Sequence, residues 1–113
     1  MTLSEFVKRH NQVKPKNLNY KTLTMAERER LAILAEECAE VIKVCSKIQR
    51  HGFRPIVGCC GITYNNRSDL ECELGDVREA MQRMVKAGDI SESKIRKQAR
   101  VKAKTRKQFL HYQ

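Results

Sequence analysis

Apolar residues recur at Leu31, Leu34, Cys38, Val41, Ile42 and Cys45, a spacing near 3.5 residues that predicts an α-helix with one packing seam. Leu70, Leu74, Val77, Met81 and Val85 repeat the pattern in a second long helix. Three capping boxes mark helix starts, each a Thr or Ser followed three residues later by Glu: Thr2 with Glu5, Thr24 with Glu27, and Ser68 with Glu71. The first opens a short helix ending near Asn11, before a polar connector through Pro15 and Asn17. The second opens a helix that Gly52 and Pro55 stop, and the third a helix that Gly88 closes. A further helix is expected from near Ser91 into the final FLHYQ. Between the long helices, HGFRPIVGCCGITYNNR (residues 51–67) lacks strong alternation, although Val57, Ile62, Thr63 and Tyr64 suit a small hairpin around the glycines. The expectation is one all-α domain over residues 1–113, an antiparallel helical bundle completed by oligomerisation, with a short N-terminal helix and a basic C-terminal helix.

Composition narrows this picture. A chain of 113 residues, 41% hydrophobic and 32% charged, suits a folded helical protein better than a disordered one. No apolar run approaches the roughly 20 residues that span a bilayer. The opening MTLSEFVKRHNQ is too polar for a secretory signal, so the cytoplasm is the expected compartment, with no membrane partner. Five cysteines without a CxxC pair argue against a disulfide framework. Cys38, Cys45 and Cys72 read as small buried hydrophobes, and the adjacent Cys59 and Cys60 near His51 have poor spacing for zinc. The net charge is +10, but residues 94–107 hold eight Lys or Arg and no acid, leaving +2 for everything else.

Candidate chemistry lies in EECAE (residues 36–40) and ECELGD (residues 71–76). At about 100° per residue, Glu37 and Glu40 sit about −100° and −160° from Cys38. Glu73 and Asp76 stand at the same offsets from Leu74, and Ile33 and Val44 bracket the first pair. If the seams face each other and the helices run antiparallel, both acidic pairs emerge on one side, as a cluster of four carboxylates. Such a cluster in a partly apolar groove needs raised pKa values or bound cations, and hard divalent ions, Mg²⁺ foremost, suit all-oxygen ligands. The plainer alternative is a solvated acidic stripe paired to Lys and Arg.

At these residues the chain resembles the MazG-like all-α nucleoside triphosphate pyrophosphohydrolases, through their ExxE…ExxD signature. The resemblance spans roughly residues 25–110, with a longer gap between the two halves of the motif. It implies Mg²⁺, with Mn²⁺ as a substitute, held by Glu37, Glu40, Glu73 and Asp76. It also implies hydrolysis of a nucleoside or deoxynucleoside triphosphate to the monophosphate and pyrophosphate. Glu36 is an outer-shell candidate, and a homodimer or homotetramer is expected.

Phosphates need further cations, and Arg83, Lys94 and Lys97 are the candidates, whereas Lys43 and Lys47 face more toward solvent. Phe53, Tyr64, Asn65 and Asn66 are candidates for contacting the base, or for packing the loop on its own helices. The competing reading is a nucleic-acid-binding helical protein using the basic segment 94–107. That segment lacks a recognised reading motif and interleaved aromatics, and Ile95, Ala99 and Ala103 mark a narrow packing stripe within it.

Overall fold

Hydrogen bonds local to the sequence set most helix ends. In the computed structural model, which describes residues 2–5, 22–57 and 63–113 (55–57, 63 and 64 through their backbone alone), the chain is mostly helical. Residues 3–5 are helical (α1), then come α2 (Met25–His51), strands β1 (Pro55–Val57) and β2 (Thr63–Asn65), α3 (Asn66–Ala87) and α4 (Glu92–Arg106). A 3-10 turn, Lys107–Phe109, follows. The boxes at Thr2–Glu5 and Thr24–Glu27 both form, each Thr hydroxyl accepting from the Glu amide and each Glu carboxylate accepting from the Thr amide. The expected end of the first helix near Asn11, and the connector after it, lie outside the described residues.

Gly52 and Gly88 end α2 and α3 at φ 78° and 83°, a region where a side chain would strain the backbone. Ser91 caps α4. Two expectations about helix ends are corrected. The start of α3 is set by Asn65, whose side chain accepts from the amides of Arg67 and Ser68, so the helix begins before the Ser68 box. The α-helical part of the last element stops at Arg106, short of FLHYQ. The hairpin does form, pairing Pro55 with Asn65, Ile56 with Tyr64 and Val57 with Thr63 in antiparallel register.

Ion pairs at both ends show how α2 and α3 lie together. Arg30, in the first turns of α2, donates from Nε and Nη2 to the two carboxylate oxygens of Asp89, just past α3, at 2.5 and 3.0 Å. Lys47, near the end of α2, stands 3.6 Å from Asp69 in the first turn of α3. The two helices therefore run in opposite directions. Between them Val44, Ala80 and Met84 are buried. Full burial of a side chain the size of Val or Met contributes about 1.5–3 kcal/mol. Asn66 is wholly buried as well, its Nδ2 donating to the Gly52 carbonyl at 2.9 Å, which ties the start of α3 to the end of α2.

The contact face is rotated from the centre of the expected seam. Leu31, Cys38, Ile42, Cys45 and Leu74 are exposed, whereas Leu34, Val41, Leu70, Val77, Met81 and Val85 are half-buried, as are Glu37, Glu40 and Glu73. Cys72 is exposed too, so none of these three cysteines acts as a buried hydrophobe. Val44 lies about −120° from Cys38, and Ala80 about −120° from Leu74, the flank that carries the acids. Ala80, with only a methyl group, lets the backbones approach on that flank, and Met84 fills the space one turn on. Among the described residues no helix is long and apolar enough to cross a membrane.

Candidate metal centre

Because the acid-bearing flanks face one another, carboxylates from two helices meet at the α2–α3 junction. Single carboxylate oxygens of Glu37, Glu73 and Asp76 all lie within 4.8 Å of one another. Glu37 and Glu73 are half-buried and Asp76 is exposed, so the group opens to solvent on one side. Glu37 registers the strain. Its carboxyl is pushed above the ordinary carboxylate range, first by partial desolvation and then by the charges of Asp76, Glu36, Glu73 and Glu40.

The donor set suits a hard divalent cation. Oxygens on opposite sides of a Mg²⁺ ion stand about 4.2 Å apart, twice its usual bond length, and those around Ca²⁺ about 4.6–5.2 Å. At most one pair of three ligands can lie opposite each other and the rest must be closer, so oxygens within 4.8 Å of one another could share either ion once the side chains draw inward. Three carboxylates with no imidazole or thiolate among them favour Mg²⁺, Ca²⁺ or Mn²⁺ over zinc or copper.

The fourth expected ligand, Glu40, stands outside this three-residue group. It lines an adjoining groove of about 280 Å³ together with Lys43, Val44, Lys47, Arg50, Asp69, Cys72 and Glu73. The groove therefore carries three acids, Glu40, Asp69 and Glu73, and three cations of α2, with Lys47 standing 3.6 Å from Asp69. Sequence reasoning directed Lys43 and Lys47 toward solvent, where Lys43 is exposed and Lys47 half-buried, and passed over the exposed Arg50. Their common signal is the spacing 43, 47, 50, which follows one face of a helix from Glu40.

The expected phosphate-binding residues lie elsewhere. Arg83 pairs with Glu79 on its own helix and lines a different hollow, with Ala26, Glu29, Arg30, Ile33, Lys86 and Ala87. Lys94 borders a pocket at the α3–α4 turn beside Asp89, Ile90 and Ile95. Lys97 is exposed on α4. Of the residues expected to touch a base, Asn66 is buried, with its Nδ2 on the Gly52 carbonyl and no hydrogen-bond partner for its Oδ1 among the described residues. Asn65 is spent on capping α3. Phe53 carries the Arg67 guanidinium over its ring at 4.6 Å. The Tyr64 side chain, Cys59 and Cys60 lie outside the described residues. Comparison with known proteins returns no matching family model, no matching curated protein and no matching solved structure.

Proposed function

We propose that the chain is a Mg²⁺-dependent nucleotide pyrophosphohydrolase of the MazG-like kind, cleaving a nucleoside or deoxynucleoside triphosphate to the monophosphate and pyrophosphate. One observation carries the reading: Glu37, Glu73 and Asp76, drawn from both halves of the ExxE…ExxD pattern, come from two helices to within 4.8 Å of one another. A solvated acidic stripe would not require partial burial of Glu37 and Glu73 against the neighbouring helix.

In this reading Glu37, Glu73 and Asp76 hold the cation, and Glu40 borders the groove next to them. A divalent cation bound there would supply charge neutralisation at the phosphates and a water of lowered pKa. Lys43, Lys47 and Arg50 attract the remaining phosphate charge along the groove, replacing Arg83, Lys94 and Lys97 in that role. Lys47 also leans toward Asp69, which holds its ammonium at the groove wall.

The same reading includes self-association into a helical bundle. Val44, Ala80 and Met84 are the buried hydrophobic side chains among the described residues, a small core for a chain of this length. Meanwhile Leu31, Ile42 and Leu74 remain exposed at 41%, 67% and 49% on one side of the α2–α3 pair. A second copy presenting the same face would cover them in an isologous contact.

Pyrophosphate release from a panel of NTPs and dNTPs with Mg²⁺ tests the activity. At least one substrate is expected to turn over, and Glu73→Gln and Asp76→Asn to abolish it while far-UV circular dichroism stays unchanged. Turnover surviving in both folded variants refutes the site, and silence across the whole panel refutes the activity.

A further inference from the structure

Helix α4 is unlike the other long helices in that none of its residues is buried. Within Glu92–Arg106 only Ile95 is half-buried, which marks the direction facing the body of the protein. Measured from Ile95, Arg100, Lys104 and Lys97 point about 140°, 180° and 200° around the axis, away from the body. Lys107 follows just past the helix. The one ion pair on α4 among the described residues joins Arg96 to Glu92, so this outward arc is left uncompensated. No acid follows Glu92 in the sequence.

A second, independent feature lies at the end of this arc. Phe109 and Tyr112 are 73% and 98% exposed, two aromatic rings open to solvent directly after the last basic residue. His111 meets the Tyr112 ring edge-on, with centroids 6.5 Å apart, leaving much of the ring surface free.

We infer that α4 and the residues after it form a binding surface for single-stranded nucleic acid, with phosphates along Lys97, Arg100, Lys104 and Lys107 and bases stacked on Phe109 and Tyr112. From Lys97 to Lys104 the arc rises about 10 Å, a length over which a strand presents several phosphates. Stacking on side-chain rings requires bases free of a duplex, which favours a single strand. An anionic membrane is the poorer partner, because a helix lying in a lipid interface needs a broad apolar face, and α4 offers Ile95 and Ala99 opposite its charges.

The test is fluorescence anisotropy of a labelled oligothymidylate, a duplex of equal length and phosphatidylserine vesicles, titrated with the full chain in EDTA. EDTA removes any contribution of a cation at the carboxylates. The single strand is expected to bind more tightly than the duplex, with affinity falling as salt rises. Arg100→Gln/Lys104→Gln/Lys107→Gln is expected to lessen the slope of log affinity against log salt by about 2, at ~0.7 per phosphate contact. Phe109→Ala/Tyr112→Ala is expected to weaken strand binding by at least about tenfold while leaving that slope unchanged. Circular dichroism checks that α4 persists in both variants. Equal affinity for duplex and strand, an unaltered affinity in the aromatic variant, or binding to vesicles alone overturns the inference. So does a lack of strand binding at low salt.

Discussion

Replacing Glu37 by Gln removes one negative charge from the carboxylate group while keeping the side chain's size. Glu37 is half-buried at the α2–α3 junction and its carboxyl is raised by desolvation and by four neighbouring acids. The sign follows from linkage. A carboxyl raised in the folded state favours folding when protonated, so its contribution is fully present below the ordinary carboxylate value and is lost as pH rises through the raised value. In EDTA at neutral pH, Glu37→Gln is therefore expected to melt higher than the parent, and the difference to vanish under acidic conditions. Mg²⁺ should reverse the order. With the ion at about ten times its dissociation constant, selective binding to the folded state adds about 1.4 kcal/mol. Unfolding entropy of ~2.1 cal/mol/K per residue gives ~0.24 kcal/mol/K for a chain of this length, so the parent's Tm should rise by about 6 °C. The variant should gain about 1–2 °C at the same concentration, since one of three carboxylates is gone. Thermal melts followed by circular dichroism, with EDTA or Mg²⁺, read both quantities. A variant that keeps the full Mg²⁺ shift, or melts lower than the parent in EDTA at neutral pH, refutes the placement of Glu37 in a cation site.

Asp89, held below the usual Asp range chiefly by the Arg30 hydrogen bonds, contributes stability that is present above the ordinary Asp value and lost as pH falls through the depressed one. Asp89→Asn should lower Tm at neutral pH and remove that part of the acid dependence, measured by melts across a pH series; an unchanged profile would dismiss the lock between the two helix ends. For self-association, Ile42→Glu/Leu74→Glu places charges on the exposed apolar face and should convert an oligomer into a monomer by multi-angle light scattering. An unchanged oligomer in that variant, or a parent that is monomeric at micromolar concentration, refutes the bundle.

Features confined to one turn of chain were legible without tertiary information. Thr24 with Glu27, Ser91, Gly52 and Gly88 set helix ends through bonds to residues a few positions away, so the sequence states them directly. Asn65 displaced the Ser68 box through bonds just as local, its side chain accepting from the amides two and three residues on, so two adjacent cap signals competed and the earlier one set the start. The types and spacing of Glu37, Glu73 and Asp76 were equally plain, but the route to their meeting was not. Periodicity announces that a helix has an apolar side without saying which side meets its neighbour. Each long helix carries two such sides, about 100° apart, and the expected one is only partly covered, with Leu31, Ile42 and Leu74 exposed and Leu70, Val77, Met81 and Val85 half-buried. Packing is centred on the other, where Ala80 permits close approach and Val44 and Met84 fill the gap. That choice turns the acids inward, partly strips them of water, and brings Lys43, Lys47 and Arg50 along one groove with Glu40 and Glu73. A sequence fixes angles within one helix; the rotation of one helix against another depends on side-chain volumes from both, and this chain's site lies where two helices meet.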